Sequence, residues 1–330
     1  MELRGKRVVL TGGAGFIGSH VADRLVAIGA ETVVIDDLSV GRRENLSAAT
    51  AGGAHLTVGD IGDKELMERE LEGANVVLHM ACDNLRASLS DPRHTHEVNA
   101  TGTLNVALAA VGAGVERFVY VSSSEAYGSA VSQPMGEDHP LLPMTVYGAS
   151  KAAGELIAQA CMRTYGLPVC VVRPFNSYGP REHAAGNSAE VIPKFVSRIQ
   201  AGLAPVIFGD GSQTRDFTWV EETAVGIVAA TECDALVGEA VNIAFGTPVS
   251  IRDIADSLIE IMAAPELKPE IGEPRPGDVD HHWADISKAT TVIGFRAEVP
   301  IADGLARYVK WVLAGGDQHE AAEPDVVRNW

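Results

Sequence analysis

Tyr147 and Lys151 are the two side chains whose types and spacing most clearly suggest chemistry. They are four residues apart, so a helix would place both on one face. A free tyrosine has a pKa of about 10, and a nearby ammonium favours the phenolate, which can then act as a base close to neutral pH. The pair therefore predicts removal of a proton from a substrate hydroxyl.

A run of serines, Ser122 to Ser124, ends a segment that is predicted to be a strand (117–122). Open α/β sheets bind ligands at the carboxyl ends of their strands, so one of these hydroxyls can hydrogen-bond the same substrate group as Tyr147. This combination predicts oxidation of a carbinol. Tyr147 would accept the hydroxyl proton while the carbon-bound hydrogen leaves as hydride to a nicotinamide.

Glycines near the N-terminus indicate where such a cofactor binds. Gly12, Gly15 and Gly18 follow the predicted strand 7–11 and open a helix, which is a dinucleotide-binding pattern. Gly12 permits a tight turn, Gly15 allows backbone N–H groups to approach a pyrophosphate, and Gly18 lets the helix lie close to the sheet. The pyrophosphate would then lie at the positive end of the helix dipole.

An acid at the end of the next predicted strand (32–36) identifies the cofactor further. Asp36 would accept hydrogen bonds from free ribose hydroxyls and repel a 2′-phosphate, so the sequence predicts NAD and not NADP. After the third predicted strand (55–58), Asp60 has two open interpretations. It contacts the adenine amino group, or it caps a helix over 63–71.

Strands and helices alternate at short intervals through the first half of the chain. This alternation predicts an α/β fold with a doubly wound parallel sheet of the Rossmann type. Further strands are expected at 75–79 and 169–173, and a long helix from about Pro92 to Ala113.

After residue 173 the pattern loosens and mixes helices with short strands, which predicts a second, smaller α/β domain that binds substrate. We expect an NAD-binding domain over residues 1–175, joined by parts of 217–245. Residues 176–330 would mainly form the substrate-binding domain.

Composition excludes several classes of partner. The formal charge of −18 argues against nucleic acid and anionic membranes, because both require a basic face. The four cysteines are scattered without a Cys-x-x-Cys pair, so we expect neither a metal site nor a disulfide framework. The sequence also shows no signal-peptide core and no apolar run of membrane-spanning length, so a cytoplasmic location is expected.

Over nearly its whole length the sequence resembles the extended short-chain dehydrogenase/reductase family of NAD-dependent nucleotide-sugar epimerases, dehydratases and decarboxylases. The motifs that carry the resemblance are Thr11 to His20, Asp36 to Ser39, Val98 to Thr103, Ser122 to Gly128, Tyr147 to Lys151, Arg173 to Arg181, Gly209 to Phe217 and Arg275 to Asp278. The resemblance implies NAD as cofactor, a nucleotide sugar as substrate, a small C-terminal domain that holds its diphosphate, and a homodimer.

The resemblance also implies roles for individual residues. Ser123 matches the family's catalytic Ser/Thr, Asn176 matches the asparagine of its Phe-Asn pair, Arg215 and Arg275 match its diphosphate-binding arginines, and Asp278 matches a ribose ligand. The expected substrate-binding residues are Arg86, Ser123, Asn176, Arg181, Arg215, Arg275 and Asp278. The expected cofactor-binding residues are Gly12, Gly15, Phe16, Ile17, Gly18, Asp36, Asp37, Ser39, Asp60, Ile61, Met80, Ala81, Asn99, Tyr147, Lys151 and Pro174. For the two arginines, ion pairs with Asp216 or Asp278 are the alternative.

Glu125 bears on which reaction of the family is catalysed, because a 4-epimerase, a decarboxylase and a 4,6-dehydratase all begin with a 4-keto sugar. A dehydratase must also remove the C5 proton, for which Glu125 could be the base, or Glu125 could assist a decarboxylase. Ser124 replaces the acidic residue of the commonest dehydratases, and the segment 283–289 resembles UDP-hexose 4-epimerases. The favoured order is therefore epimerase, decarboxylase, dehydratase. Catalytic roles are expected for Tyr147, Lys151, Ser123 and Glu125.

Arg86 lies in a loop that differs from that of hexose epimerases. It could bind a C6 carboxylate, which makes UDP-glucuronate a possible substrate beside UDP-glucose, or it could pair with Asp83 or Glu97. A different class, an NAD-sensing module without activity, is disfavoured because Tyr147 and Lys151 are both present.

Overall fold

The structure is a computed structural model that describes residues 1–184, 189–274 and 279–316. Its strands are β1 (Arg7–Thr11), β2 (Glu31–Asp36), β3 (His55–Val58), β4 (Val76–His79), β5 (Arg117–Val121), β6 (Val169–Pro174), β7 (Asn176–Tyr178), β8 (Val206–Phe208), β9 (Thr214–Trp219), β10 (Ala240–Ile243), β11 (Pro248–Ser250), β12 (Glu270–Gly272) and β13 (His281–His282).

The α-helices in the same ranges are α1 (Phe16–Ala27), α2 (Ser47–Ala51), α3 (Lys64–Leu71), α4 (Leu85–Ser90), α5 (Pro92–His96), α6 (Thr103–Ala113), α7 (Val146–Tyr165), α8 (Val191–Gln200), α9 (Val220–Glu232), α10 (Ile251–Ile261), α11 (Ser287–Val292) and α12 (Ile301–Leu313). None of these helices combines the length and apolar character needed to cross a membrane.

Within the described residues, seven parallel strands form the main sheet, in the order β10-β6-β5-β4-β1-β2-β3. The chain runs outward from β1 to β3 and then returns to the other side of β1 at β4, so the strand order reverses between β1 and β4. The predicted doubly wound Rossmann fold is therefore confirmed. Such a reversal opens a crevice at the carboxyl ends of the strands, where ligands bind.

The predicted strands of this sheet agree with the observed ones to within one residue at each end. The inner strands β4, β5 and β6 are buried along their whole length. Strands covered by helices on both faces are almost continuously apolar, which is why they were recognisable from the sequence.

Helices cover both faces of the sheet. On one face, α1 and α9 contribute Val21 and Ile227 to a core with the strand residues Leu10 and Val119. On the other face, α3, α6 and α7 bury Met67, Val106 and Ala158. The expected long helix begins at Pro92 and runs through α5, a π-helical segment (Glu97–Gly102) and α6.

The remaining elements after β6 pack around a separate core. Tyr178, Phe195, Trp219, Ile254 and Leu305 bring together β7, α8, β9, α10 and α12. Strand β9 pairs with β7, β11 and β13, so it connects this part of the chain. By contrast, β10 and α9 belong with the main sheet. Both come from the region 217–245, parts of which were expected to join the NAD-binding domain. The division of the chain at residue 175 stays a prediction.

Candidate active site

The glycine-rich turn lies where β1 and β4 diverge. Gly12 has φ of +70°, and a Cβ atom built on it would lie 2.6 Å from Cα and N of Ala81. A Cβ atom on Gly18 would lie 2.2 Å from the Gly12 carbonyl oxygen. The turn thus has no space for side chains at these two positions, in agreement with the predicted role of these glycines.

The N-terminus of α1 is built to receive an anion. Gly15 is its N-cap, and no side chain caps the helix. The backbone N–H groups of its first turn, which include those of Phe16 and Ile17, are therefore not occupied by a capping side chain and can bind a pyrophosphate. This cradle fits NAD.

Asp36 holds the glycine-rich turn in place. Its Oδ2 accepts a hydrogen bond of 2.9 Å from the Ala14 N–H, and its Oδ1 accepts one of 2.9 Å from the Leu38 N–H. Burial raises the pKa of this carboxyl. Each carboxylate oxygen can accept a further hydrogen bond, so the expected contacts with ribose hydroxyls stay possible. Beside it, Asp37 accepts hydrogen bonds from both N–H and Oγ of Ser39.

Asp60 does not cap the following helix. Asp63 caps α3 by accepting a hydrogen bond of 3.0 Å from the Leu66 N–H. Asp60 is exposed and accepts from the Gly62 N–H at 2.7 Å. The capping interpretation of Asp60 is therefore wrong, and the adenine contact stays a prediction. The neighbouring Ile61 is a buried core residue.

The loop after β4 is fixed from two sides. Met80 and Ala81 donate their N–H groups to Oγ1 of Thr11 at 3.2 Å. The buried Asn99 accepts from the Asp83 N–H at 2.7 Å and donates to Oγ of Ser150 at 2.9 Å. Asn99 therefore ties this loop to α7, the helix that carries Tyr147 and Lys151.

Lys151 is fully buried at the bottom of the site. Its ammonium donates a hydrogen bond of 2.7 Å to the Val121 carbonyl oxygen and lies 4.8 Å from the centroid of the Tyr120 ring. Burial lowers its pKa. These contacts hold a positive charge behind the carboxyl end of β5.

Tyr147 lies in the first turn of α7, whose N-cap Thr145 accepts from the Gly148 N–H. Burial raises the pKa of the Tyr147 phenol well above its usual value, with Cys82 acting in the same direction and hydrogen bonding to Ser123 opposing it. The lowering of this pKa that the spacing of Tyr147 and Lys151 predicts does not occur, because burial is the largest influence on the pKa and raises it. The phenol is therefore protonated at neutral pH unless further positive charge enters the site.

Glu125 lies in a short 3-10 turn (Ser124–Ala126) after β5, and Ser123 immediately precedes this turn. Oγ of Ser123 caps this turn by accepting from the Glu125 N–H at 3.2 Å. Glu125 is half-buried and is one of the acids that raise the pKa of Tyr147. The structure thus brings Tyr147, Ser123 and Glu125 together, and Lys151 lies on the same helix as Tyr147. The catalytic roles of these four residues stay predictions.

Two of the predicted substrate-binding residues lie on paired strands. Asn176 begins β7, opposite Phe217 of β9. Its Oδ1 is buried and has no hydrogen-bond partner among the described residues. Arg215 of β9 is also buried and donates to the carbonyl oxygens of Thr214 (2.9 Å) and Val279 (2.7 Å).

The alternative that Arg215 pairs with Asp216 is wrong. Asp216 accepts hydrogen bonds from the backbone N–H groups of Phe245, Gly246 and Ala284, and burial raises its pKa to about 6. The Asp216 side chain therefore joins two loops, and the alternation of side chains along β9 directs it away from Arg215.

The other arginines have unexpected neighbours or lie outside the described residues. Arg181 forms an ion pair of 2.8 Å with Asp23 of α1 and has φ of +68°. Arg86 is buried and pairs with Glu190, not with the expected Asp83 or Glu97. Arg275 and Asp278 fall outside the described residues, so their roles stay predictions.

Three residues that sequence reasoning did not place in the site are close to it. Cys82 and Glu190 both raise the pKa of Tyr147. The ring of His282 is buried and neutral, with a pKa of about 3, and its Nε2–H donates to the Ser124 carbonyl oxygen at 3.2 Å. No local pattern marks these residues, because each reaches the site through tertiary packing.

A Rossmann sheet with a glycine-rich cradle and a Ser-Tyr-Lys group at the strand ends defines a dinucleotide-dependent enzyme of the short-chain dehydrogenase/reductase type. The model of the NAD dependent epimerase/dehydratase family matches residues 8–244, and the chain belongs to this family. The family is NAD-dependent, and NAD is the cofactor.

Relatives with different activities are similarly close. The UDP-glucose 4-epimerase of Mycolicibacterium smegmatis is 36% identical over 309 residues, covering 92% of this chain and 98% of that protein. The structure of DesIV, a dTDP-glucose 4,6-dehydratase from Streptomyces venezuelae solved with NAD bound, has a TM-score of 0.89 and 34% identity, covering 94% of this chain and 98% of that one. The UDP-glucuronic acid 4-epimerase of Bacillus cereus, solved with UDP-glucuronic acid and NAD, has a TM-score of 0.87 and 28% identity, covering 93% of this chain and 99% of that one.

Proposed function

We propose that this protein is a nucleotide-sugar 4-epimerase that acts on a UDP-hexose or UDP-hexuronate through a transient 4-keto sugar. The observation that carries the proposal is the arrangement of Tyr147, Ser123 and Lys151 at the crevice beside the dinucleotide cradle. When bound, NAD would supply a hydride acceptor and, in its oxidised form, a positive charge.

In this proposal Tyr147 takes the proton of the C4 hydroxyl while the C4 hydrogen leaves as hydride. Ser123 hydrogen-bonds the same oxygen, and the Lys151 ammonium helps to stabilise the phenolate. Return of hydride to the opposite face of the ketone, with the proton given back by Tyr147, yields the C4 epimer. No net oxidation occurs, so the cofactor is regenerated in every turnover.

The substrate anchors are proposed from their positions on β7 and β9. Asn176 offers a buried acceptor that lacks a partner, and Arg215 offers a guanidinium held by backbone carbonyls. A diphosphate can displace such carbonyl contacts because its bonds to a guanidinium are charge-assisted. Arg181, Arg275 and Asp278 complete the proposed set from the sequence.

A substrate panel tests this function. Purified protein given UDP-glucose without added NAD should form the C4 epimer, identified by proton NMR, and the denatured protein should release NAD in amounts close to one per chain. A 4-keto-6-deoxy product or released carbon dioxide would overturn the epimerase assignment. Absence of any conversion with UDP-glucose, UDP-glucuronate and dTDP-glucose would favour the NAD-sensing alternative.

Dehydratase and decarboxylase activities are the second candidate, because Glu125 lies close enough to Tyr147 to influence its pKa. An epimerase removes no proton from C5. Glu125→Gln should therefore cost it about tenfold or less, whereas a dehydratase that uses Glu125 as base would lose roughly 10²–10⁴-fold. Rates of the variant and the native protein, measured on the substrate that the panel identifies, separate the two.

Reaction in deuterium oxide gives an independent readout of the same question. C5 deprotonation incorporates deuterium at C5, whereas simple C4 epimerisation does not. We expect an unlabelled C4 epimer. Deuterium at C5, together with collapse of activity in Glu125→Gln, would contradict the epimerase proposal.

We also propose that the protein is a cytoplasmic homodimer. The four cysteines are free thiols, which suits a reducing compartment. The adjacent helices α6 and α7 expose the leucines Leu104, Leu108 and Leu156, which are 38%, 44% and 58% exposed. Apolar side chains exposed on neighbouring helices can form a self-complementary interface around a twofold axis.

Leu108→Glu should convert this dimer to a monomer, because a carboxylate would be buried at the interface without a partner. Light scattering coupled to gel filtration measures the mass. Leu313→Glu is the control, since Leu313 is 66% exposed at the end of α12 and lies outside the proposed interface. A native protein that runs as a monomer, or a variant that stays dimeric, would contradict this interface.

A further inference from the structure

An ion pair between a buried guanidinium and a partly exposed carboxylate joins the two parts of the chain. Arg86 lies in the first turn of α4 and is only 7% exposed, while Glu190 is the residue immediately before α8. Nη1 of Arg86 donates to Oε1 of Glu190. The pair therefore links α4, which follows strand β4 of the main sheet, to the start of α8, which belongs to the second core.

The pair lies beside the helix that carries Tyr147, because α4 packs against α7. Glu190 is among the acids that raise the pKa of Tyr147, and Glu125 is another. Arg86 contributes a positive charge to this surface, but Glu190 already compensates it. Lys151 is directed to the Val121 carbonyl oxygen.

We propose that Glu190, by holding Arg86, makes the site selective for a neutral hexose over a hexuronate. This inference rests on the proposed 4-epimerase function. In a uronate, the C6 carboxylate is attached to C5, next to the carbon whose hydroxyl meets Tyr147, so its charge must enter the region of Glu125 and Glu190. A hydroxymethyl group brings no charge and can both donate to a carboxylate and accept from a guanidinium.

The selectivity would arise because Arg86 is already paired with Glu190 before substrate binds. A free buried guanidinium would bind a carboxylate strongly through charge-assisted hydrogen bonds. A guanidinium already paired with Glu190 gains much less from a second carboxylate, which also meets like charge. Glu190 is accordingly a specificity-determining residue, and Arg86 is the group that it blocks.

Calorimetric binding of UDP-glucose and UDP-glucuronate to the NAD-containing protein tests this inference without depending on turnover. The native protein should bind UDP-glucose at least about tenfold more tightly. Glu190→Gln frees Arg86 and should reduce this preference about tenfold or more. Glu31→Gln is the matched control, because it removes an ion pair with Arg7 at the other edge of the protein. It should leave the preference unchanged.

A double variant shows whether the gained affinity depends on Arg86. Adding Arg86→Met to Glu190→Gln should abolish the improved binding of UDP-glucuronate. Native protein that binds both sugars equally, or a Glu190→Gln variant with an unchanged preference, overturns the inference. Failure of both UDP sugars to bind would instead refute the proposed function.

Discussion

Replacing Tyr147 with phenylalanine should lower turnover of every nucleotide sugar by at least roughly 10²–10⁴-fold. Only one hydroxyl is removed, and it is the group that meets both Ser123 and the substrate proton in the proposed mechanism. All candidate reactions of the family begin with loss of hydride from C4, so the loss should not depend on which product is formed. The ring itself stays and continues to fill its place.

The fold and the cofactor should be unaffected in this variant, because neither the glycine-rich turn nor Lys151 loses a contact. Circular dichroism, the melting temperature and the NAD content of the purified protein check this. Tyr165→Phe is the matched control, since Tyr165 is the last residue of the same helix and is 58% exposed. A Tyr147→Phe variant that keeps more than about a tenth of the native activity would remove Tyr147 from its proposed role.

Most of the fold could be predicted because its signals are local. Buried parallel strands are continuous apolar runs, and a glycine turn followed by a helix and an acid is specific for a dinucleotide fold. The same holds for Tyr147 and Lys151, whose spacing already places them on one helix face. The predicted catalytic residues could therefore be recognised because they lie close together in the sequence.

Partners that are distant in sequence could not be predicted. Arg86 pairs with a carboxylate 104 residues away, and neither of the nearby acids considered for it is its partner. Asp216 likewise accepts hydrogen bonds from two loops and does not pair with the adjacent Arg215. Choosing among possible acids requires the packing of the second core, because Coulomb attraction alone does not distinguish them.

The direction of the pKa shift of Tyr147 could not be predicted from the sequence either. Spacing placed an ammonium nearby, which favours the phenolate, but spacing gives no measure of burial. In the structure burial is the larger effect and raises the pKa. The base catalysis proposed for Tyr147 would therefore be assisted by the positive charge of oxidised NAD bound at the cradle formed by Gly12, Gly15 and α1.

A substitution in this cradle should also have a large effect. Gly12→Ala should remove most bound NAD and nearly all activity. The added Cβ atom would meet the backbone of Ala81 at 2.6 Å, so the turn or the loop after β4 must shift. Both line the place where backbone N–H groups are expected to approach the pyrophosphate. The left-handed backbone at Gly12 adds a strain of roughly 1–2 kcal/mol for any other residue.

Gly5 is a control that separates the effect of backbone strain from the effect of close contact with Ala81. Its φ of +71° is nearly the same as that of Gly12, +70°, but a Cβ atom on Gly5 would have no heavy atom within 4 Å beyond its chain neighbours. Gly5→Ala should therefore lower the melting temperature through strain alone and keep NAD and activity. Absorbance and mass spectrometry of the ligand released on denaturation measure the difference. Equal retention of NAD in both variants would show that contact between the turn and Ala81 does not shape the cofactor site, because strain is common to the two substitutions and only the contact differs.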